Sequence, residues 1–332
     1  MLLTKLCLAV LPLVAVAQTS TTAQDAGNST QRLDDCASYA IPPSFAQYLN
    51  TSFLGERQSI EVGPVNFSYY QFGPLYAGAT GRPLIMVSGQ GATLNIWTPD
   101  LLKTLAGGRQ VTIFDNRGIG YSTDADPEEE NTILGYADST VDLIDALGLE
   151  QPDILGWSLG GFITLTLVTS FPEAVNRVVL ADTSAGGQGT SAVNLANLNA
   201  ISTVLLSGQS LPPTYIYPDT EAGNAGLCRL IASQMVMPKD PLTPAQVGLQ
   251  TPAIEAYLQG PDTSAYAGLQ NVTNPLLVIA GTQDQILSVQ DDITIVSMVP
   301  GASLLQYADS GHAAILQHGA TNGAVISAFL DA

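Results

Sequence analysis

The chain has 332 residues, of which 46% are hydrophobic and 12% charged, enough apolar material for one large domain or one domain with an insertion. Its 29 acidic and 10 basic residues leave a net charge of −19, which repels phosphate backbones and excludes nucleic acid as an expected partner. Apart from the N-terminus, no apolar run is long enough to span a bilayer.

The N-terminus has the pattern of a secretory signal. Lys5 gives a short positive region, residues 6–16 are apolar, and the small residues Ala15 and Ala17 form a cleavage site. The sequence therefore predicts a signal peptide over residues 1–17, a flexible polar stretch over residues 18–31, and a secreted, extracellular protein. A buried first helix is the alternative, but the polar tract lacks apolar residues with which to dock one.

Secretion bears on the cysteines and on the glycosylation sequons. Cys7 leaves with the signal, so Cys36 and Cys228 remain in an oxidising compartment and could form one disulfide or stay as two buried thiols. Four sequons are candidate glycosylation sites, at Asn28, Asn50, Asn66 and Asn271.

Strand-like segments recur along the chain. Residues 60–73 read as a hairpin that turns at residues 63–64. Short apolar runs typical of parallel strands buried on both faces follow at residues 83–88, 110–115, 152–157, 177–182, 275–281 and 303–308. Helical patterns begin at Ile133 and just after Gly161, and this alternation predicts a doubly wound, mostly parallel α/β sheet.

Residues 183–270 interrupt the alternation. They contain no clear core strand, but have helical patterns around residues 192–206 and 222–237. We therefore expect a helical cap over residues 183–270, inserted into a core of residues 32–182 and 271–332. A bridge between the two cysteines would tie the N-terminal arm to this cap.

A candidate nucleophile lies in the segment GWSLGG, residues 156–161. Ser158 follows a predicted strand and precedes a predicted helix, which is the context of a nucleophile elbow. Gly156 and Gly160 would permit the sharp reversal, and the backbone N–H of Leu159 could donate to an oxyanion. An ordinary glycine-rich turn is the competing interpretation.

A serine nucleophile needs a base, and the chain has only two histidines. His312 follows the last predicted strand on a loop, from which its ring could reach the rim of the sheet. His318 falls within a helical run and reads as a helix-end or surface group. We therefore expect His312 to be the base.

The acid that orients the histidine has two main candidates. Asp284 follows the strand at residues 275–281, and Asp182 ends the strand at residues 177–182. Asp284 is preferred, and Asp182 is expected to accept hydrogen bonds from N–H groups of the turn that follows it. Asp309 lies too close to His312 on the same loop. The segment VSGQGAT, residues 87–93, makes the N–H of Gln90 the second expected oxyanion donor.

Five ordered motifs resemble the α/β-hydrolase fold superfamily, in its cap-bearing esterase and lipase-like branch: VSGQGAT, FDNRGIGYS, GWSLGG, GTQD and SGHA. The resemblance covers the chain from about residue 60 onwards. It implies Ser158 as nucleophile, Asp284 as acid and His312 as base, with Asp115 and Arg117 in a structural loop. Family members often have His-Gly before the oxyanion residue, whereas this chain has Ser88-Gly89. The serine argues against epoxide opening and halide removal, which use Asp at that position.

The sequence predicts a secreted serine hydrolase acting on a small-molecule ester, lactone or related acyl substrate. No metal site or cofactor is expected, because two histidines and few thiols offer no zinc pattern, and neither a P-loop nor a dinucleotide motif occurs. One alternative is an aminopeptidase of the proline iminopeptidase type, with Glu221 and Glu255 as candidate groups for a substrate ammonium. Another is a non-catalytic ligand-binding module on the same fold. Oligomeric state is not readable from the sequence.

Overall fold

The structure is a computed structural model that describes residues 23–74, 81–127, 131–191, 204 and 213–332, with only the backbone of residues 23–30. The predicted signal peptide, residues 1–17, and most of the predicted cap helix at residues 192–206 lie outside these described residues. Within the described chain, no helix has the length and apolar character needed to cross a membrane.

The described strands form one sheet. Their bounds are β1 (Gln58–Val62), β2 (Val65–Phe72), β3 (Leu84–Val87), β4 (Val111–Phe114), β5 (Thr123–Asp124), β6 (Asp153–Trp157), β7 (Val178–Ala181), β8 (Leu276–Gly281) and β9 (Ser303–Tyr307). The spatial order is β1-β2-β4-β3-β6-β7-β8-β9, with β5 beside β2. β2 is antiparallel to β1, β4 and β5, and every pair from β4 to β9 is parallel.

Helices connect the strands. Their bounds are α1 (Ala23–Ser38), α2 (Pro43–Ala46), α3 (Pro99–Leu105), α4 (Ile133–Ala146), α5 (Leu159–Ser170), α6 (Pro213–Ile216), α7 (Glu221–Val236), α8 (Pro244–Gln259), α9 (Val289–Met298), α10 (Ala314–Gln317) and α11 (Gly319–Leu330). The helices α6 to α8 lie within residues 183–270, the region predicted to form the cap. Single 3₁₀ turns occur at Ser52–Leu54, Leu94–Ile96, Pro172–Ala174, Gly187–Gly189 and Tyr266–Asn271.

The core lies on both faces of the sheet, because alternate residues of a strand point to opposite sides. In β3, Ile85 and Val87 join the apolar cluster under α4, α5 and α9. Leu84 and Met86 join the cluster under α3 and α11. All four residues of this strand are buried, which is why it reads as an uninterrupted apolar run. The doubly wound, mostly parallel architecture predicted from the sequence is confirmed.

The individual strand predictions also agree with the structure. The hairpin forms between β1 and β2, and the six apolar runs become β3, β4, β6, β7, β8 and β9. The sequence missed β5, which has two residues and so shows no periodicity. It also missed α8, whose pattern is interrupted by Pro252 although Thr243 forms a capping box at its start.

The stretch predicted to be flexible, residues 18–31, overlaps a helix in its C-terminal part. The backbone forms α1 from Ala23 onwards. Three anchors lie at its C-terminal half: the half-buried Leu33, the buried guanidinium of Arg32, which donates to the Tyr217 carbonyl oxygen, and the disulfide between Cys36 and Cys228. The polar composition of residues 18–31 carries no trace of these anchors because they lie further along the chain.

The disulfide connects α1 to α7, so the N-terminal arm is covalently attached to the cap, with 5.0 Å between the two Cα atoms. Arg57, in the core, also contacts the cap, because its guanidinium binds the carboxylate of Asp240. The same guanidinium donates to the hydroxyl of Ser68 and lies over the rings of Tyr70 and Tyr121. These contacts hold the region 213–270 over the carboxyl ends of the parallel strands, which is where ligands bind in sheets of this kind.

Candidate active site

Ser158 occupies a sharp turn between β6 and α5. Its backbone has φ 56° and ψ −120°, a conformation that L-residues rarely adopt. The turn is fixed because the Ser158 N–H donates to the Ala181 carbonyl oxygen at 3.0 Å. The hydroxyl of Thr183 in turn donates to the Ser158 carbonyl oxygen at 2.9 Å. The strained turn therefore presents the Ser158 side chain at the rim of the sheet, as an elbow requires.

The two predicted elbow glycines are required by close backbone approach. A Cβ on Gly156 would lie 2.3 Å from the Gly160 carbonyl oxygen, and a Cβ on Gly160 would lie 2.0 Å from the Val87 carbonyl oxygen. No side chain fits at either distance. These contacts distinguish the turn from an ordinary glycine-rich bend, in which the glycines would be replaceable.

His312 lies beside Ser158, on the loop between β9 and α10. Its Nε2 is 2.8 Å from Ser158 Oγ, and its Nδ1 is 2.8 Å from Asp284 Oδ2. Because an ionised carboxylate can only accept, Nδ1 carries the hydrogen and Nε2 is free to accept from the serine hydroxyl. The structure thus brings together the three residues that the sequence assigned to the triad, although they span 126 positions from residue 158 to residue 284 and 28 more to residue 312.

Asp284 and the backbone of His312 are themselves held in place. Asp284 Oδ1 accepts from the N–H groups of Ile286 and Leu287, so Oδ2 remains for the imidazole. The indole N–H of Trp157 donates to the His312 carbonyl oxygen at 2.8 Å. The sequence did not assign this task to Trp157, since nothing in its position next to the serine specifies which way the indole points.

Asp182 is buried at the end of β7 and does not bind the histidine ring. Its Oδ1 accepts from the Gly281 N–H at 2.9 Å, and its Oδ2 accepts from the Ala314 N–H at 3.1 Å. The expectation that it binds N–H groups of the turn after itself was therefore wrong. The N–H groups that Asp182 binds belong to β8 and to α10 instead. Asp182 has a positive φ, and its side chain lies across the rim of the sheet. It links the loops that carry Asp284 and His312.

A second buried carboxylate, that of Asp292, lies near Asp182. Asp292, in α9, accepts from the Thr183 N–H, and its other oxygen has no partner in the part of the chain that the structure describes. The sequence offered no signal for this residue, which looks like an ordinary first-turn helix carboxylate.

Burial and mutual repulsion control the protonation of this cluster. Burial, then the charge of Asp284, raises the pKa of Asp182 to about 8, against the lowering effects of His312 and the two backbone donors. Burial, then the neighbouring Asp182, raises the pKa of Asp292 well above its usual range. Burial lowers the pKa of His312, but the charge and hydrogen bond of Asp284 and the charge of Asp182 outweigh it, so the net shift is upward from 6.5.

The loop after β3 approaches the nucleophile closely. A Cβ on Gly89 would lie 3.1 Å from the Ser158 Cβ, so the loop that carries the expected oxyanion donor Gln90 passes close to the serine. Ser88 is buried and its hydroxyl donates to the Ala92 carbonyl oxygen, closing the loop. Leu159, the other expected donor, is the first residue of α5, where an N–H has no acceptor in a preceding helical turn.

The remaining sequence candidates lie outside this arrangement. His318 pairs with the hydroxyl of Ser310 at 2.9 Å and stacks on Tyr307, and Asp309 lies 3.6 Å from the His318 ring. Asp115 accepts from the Leu94 and Tyr121 N–H groups, which fits the structural role that the resemblance implied. The described residues contain no group of three or more His, Cys, Asp or Glu that could hold a metal ion.

Three of the sequons can be placed. Asn50 and Asn271 are exposed. Asn66 is half-buried within β2, opposite Glu61 on one side and Thr123 on the other. The side chain of Asn28 lies outside the described residues.

Comparison with known proteins agrees with the fold. A family model described as the alpha/beta hydrolase fold matches residues 82–215, which include the serine turn but end before the strands that carry the acid and the base. An alpha/beta hydrolase fold protein from Chitinophaga pinensis superposes with a TM-score of 0.71 at 24% identity, covering 85% of this chain and 100% of that chain. The chain therefore has the alpha/beta hydrolase fold.

The proteins to which the chain is similar differ in what they act on. The chain is 28% identical to the 2-hydroxymuconate semialdehyde hydrolase of Pseudomonas sp. (strain CF600) over 77% of its own length and 89% of that protein. The enol-lactonase from Burkholderia xenovorans LB400 superposes with a TM-score of 0.66 at 19% identity, covering 83% of this chain and 100% of that chain.

Proposed function

We propose that this α/β hydrolase is a serine hydrolase that cleaves a small ester, lactone or related acyl compound. The observation that carries the proposal is the chain of two hydrogen bonds, each 2.8 Å, from Ser158 Oγ through the His312 ring to Asp284. Nucleophile, base and orienting acid within hydrogen-bond reach are the minimal parts of acyl transfer.

In the first half-reaction, Ser158 Oγ attacks the substrate carbonyl carbon while its proton passes to His312 Nε2. Asp284 stabilises the imidazolium that forms and keeps Nδ1 protonated. The negative charge on the former carbonyl oxygen is stabilised by the N–H groups of Gln90 and Leu159, the latter at the positive end of α5. His312 then returns the proton to the leaving oxygen, and an acyl-serine remains.

In the second half-reaction, a water molecule gives a proton to His312 Nε2 as its oxygen attacks the acyl carbon. The same two N–H groups stabilise the second oxyanion, and collapse returns the proton to Ser158 Oγ and releases the carboxylic acid. The near-complete burial of His312 keeps bulk water away from the ring between these steps.

The charges around the triad favour an uncharged acyl group. Nine of the ten Lys and Arg residues lie in the described part of the chain, and each has a carboxylate, carbonyl oxygen or aromatic ring as a partner away from the triad: Arg32, Arg57, Arg82, Lys103, Arg109, Arg117, Arg177, Arg229 and Lys239. The triad itself has carboxyl groups as neighbours: Asp182 acts on His312, and Asp292 interacts with Asp284. Among the residues that the structure describes, a substrate carboxylate would therefore meet no cation at the triad.

The two alternatives have less support. Among the described residues, the aminopeptidase candidates Glu221 and Glu255 form no hydrogen bond to the triad: Glu221 is exposed at the start of α7, and Glu255 is half-buried on α8. A ligand-binding module needs no ordered nucleophile, base and acid, so the strained serine turn would be unexplained.

Active-site labelling tests the proposal. A fluorophosphonate probe should modify native protein at Ser158, and Ser158→Ala should abolish both labelling and turnover of p-nitrophenyl esters, the latter by about four to six orders of magnitude. Faster release of amino-acid anilides than of esters would favour the aminopeptidase. Folded protein that resists the probe would favour the binding module.

We also propose export, with cleavage after Ala17, and a core of residues 32–182 and 271–332 that carries a cap of residues 183–270. The disulfide supports an oxidising compartment. Expression of the full chain in a secreting eukaryotic host tests the export: N-terminal sequencing of medium protein should begin at Gln18, and glycans should occur at the exposed Asn50 and Asn271 before the half-buried Asn66. Retention inside the cell with the first 17 residues intact would contradict export.

A further inference from the structure

The cap helix α8 makes two adjacent hydrogen bonds to the loop that carries the expected oxyanion donor. The backbone N–H of Gly91 donates to Gln250 Oε1 at 2.9 Å. The side-chain amide of Gln90 donates to Thr251 Oγ1 at 3.1 Å. The peptide on the C-terminal side of Gln90 is thus held from the cap, not from the core.

Gln250 is an unusual residue to bury. Its side chain has no solvent exposure, and its Nε2 has no hydrogen-bond partner among the described residues. A buried amide with one unsatisfied end is less favourable than an apolar side chain of the same shape. Stability alone therefore does not explain a glutamine at this position, whereas a role at the loop does.

The oxyanion loop, residues 88–92, requires a stabilising contact next to Gln90. Gly91 has φ +60°, so the chain reverses directly after Gln90, and a small rotation there would turn the Gln90 N–H away from the serine. Asn116 Nδ2 donates to the Ser88 carbonyl oxygen and fixes the N-terminal side of the loop to the core. Gln250 makes the corresponding contact on the C-terminal side of the loop, through the Gly91 N–H.

We propose that Gln250 is a positioning residue for the oxyanion site, whose Oε1 acceptor fixes the orientation of the Gln90 N–H through the Gly91 N–H. This inference rests on the proposed serine hydrolase function. Loss of the Oε1 acceptor should weaken stabilisation of the oxyanion in the transition state and leave binding of the uncharged ester almost unchanged. Loss of the acceptor should therefore lower kcat and leave KM almost unchanged, since only the transition state carries the negative charge.

The test compares two glutamines on the same helix in the full-length, disulfide-bonded protein. Gln250→Met keeps the length of the side chain but removes the acceptor. Gln246→Ala is the matched control. Gln246 Nε2 donates to the Gly120 carbonyl oxygen, a contact that anchors α8 at a point away from the oxyanion loop. All rates are normalised to the fraction of sites titrated by a fluorophosphonate, so that unfolded protein does not enter the comparison.

Gln250→Met should lower kcat for a p-nitrophenyl ester by about 10-fold to 100-fold, the range expected for a displaced catalytic group, while KM changes less than about threefold. The inhibition constant of an alkyl trifluoromethyl ketone, whose serine adduct carries an oxyanion, should rise by the same factor as kcat falls. Gln246→Ala should leave kcat and the inhibition constant at wild-type values.

Two results would overturn the inference. One is a Gln250→Met protein with wild-type kcat, and the other is an equal loss in Gln246→Ala, which would mean that any loosening of α8 has the same effect. Both presuppose that wild-type protein is labelled and that Ser158→Ala is inactive. If those two conditions fail, the serine hydrolase proposal itself is wrong.

Discussion

Asp182 and Asp284 lie at the ends of the adjacent parallel strands β7 and β8, yet only Asp284 hydrogen-bonds the His312 ring. Asp182 instead accepts two backbone N–H groups, one from β8 and one from α10. Two carboxylates that compete for the same role in the sequence therefore have different surroundings and different expected effects when changed.

Asp284→Asn should lower kcat by about 10⁴-fold, because an amide in place of the carboxylate favours the wrong imidazole tautomer. Asp182→Asn should keep kcat within about 10-fold of wild type, because the ring partner is retained, and should lower the melting temperature by leaving a buried N–H without an acceptor. Steady-state kinetics and calorimetry on both variants check this. The reverse pattern would make Asp182 the acid.

The pH dependence of kcat/KM should follow His312, which acts as a base only when neutral. Burial lowers the pKa of His312, but Asp284 and Asp182 raise it by more, so activity should rise with pH through a midpoint above 6.5. In Asp284→Asn the residual activity should rise through a lower midpoint, since the main raising effect is gone. A kcat/KM profile from pH 5 to 9 measures both midpoints, and an unchanged midpoint in the variant would contradict the role of Asp284.

Stability should increase as pH falls from 8 to 5. Burial, then the charge of Asp240, raises the pKa of Asp115 from 3.8 to about 7. Between about pH 4 and 7 the folded protein therefore keeps a proton that the unfolded chain has lost, and the free energy of unfolding falls as pH rises through this window. Asp182, with a pKa raised to about 8, acts in the same direction.

Urea unfolding at pH 5 and pH 8 measures this difference. Asp115→Asn should shrink it, because asparagine cannot release a proton, and Asp262→Asn serves as an exposed control that should not. A wild-type protein that is equally stable at both pH values would contradict the prediction.

The disulfide should stabilise both the N-terminal arm and the cap. Replacing Cys36 and Cys228 by serine should lower the free energy of unfolding by about 2–5 kcal/mol, the usual effect of losing a native bridge in a secreted protein. Hydrogen exchange should increase first in α1 and α7, the helices that the bridge joins. Unchanged exchange in both helices would mean that the guanidinium of Arg32, bound to the Tyr217 carbonyl oxygen, holds the arm alone.

Esters with a neutral acyl group should be better substrates than esters with an anionic one. The p-nitrophenyl ester of pentanoic acid and the monoester of glutaric acid differ mainly in one carboxylate, and the neutral ester should have a kcat/KM at least about 10-fold higher, equivalent to about 1.4 kcal/mol. Repeating the pair in 0.5 M NaCl separates the long-range field from the local site, because about that much salt screens exposed charges beyond a few ångströms. Equal rates would point to a cation at the site.

The core strands and the candidates for the triad could be predicted because local patterns indicate them. The parallel strands inside the sheet are buried on both faces and so form short apolar runs, as in β3 and β6, whereas the edge strand β9 is only partly buried. With only two histidines in the chain, the base had two candidates, and the order of strands put Ser158, Asp284 and His312 on loops at the same rim. The elbow glycines follow from backbone sterics that any chain must obey.

Other features depend on contacts between segments far apart in sequence. The direction of the Asp182 carboxylate, the burial of Asp292 and the hold of Gln250 on the oxyanion loop arise only when β7, α9 and the cap meet. The sequence by itself determined the alternation of strands and helices and the residue types available for acyl transfer, because these are fixed by periodicity and composition. Which carboxylate reached the histidine, and which cap residue reached the loop, was decided by tertiary packing, since a side chain's partner depends on the direction in which the folded backbone points it.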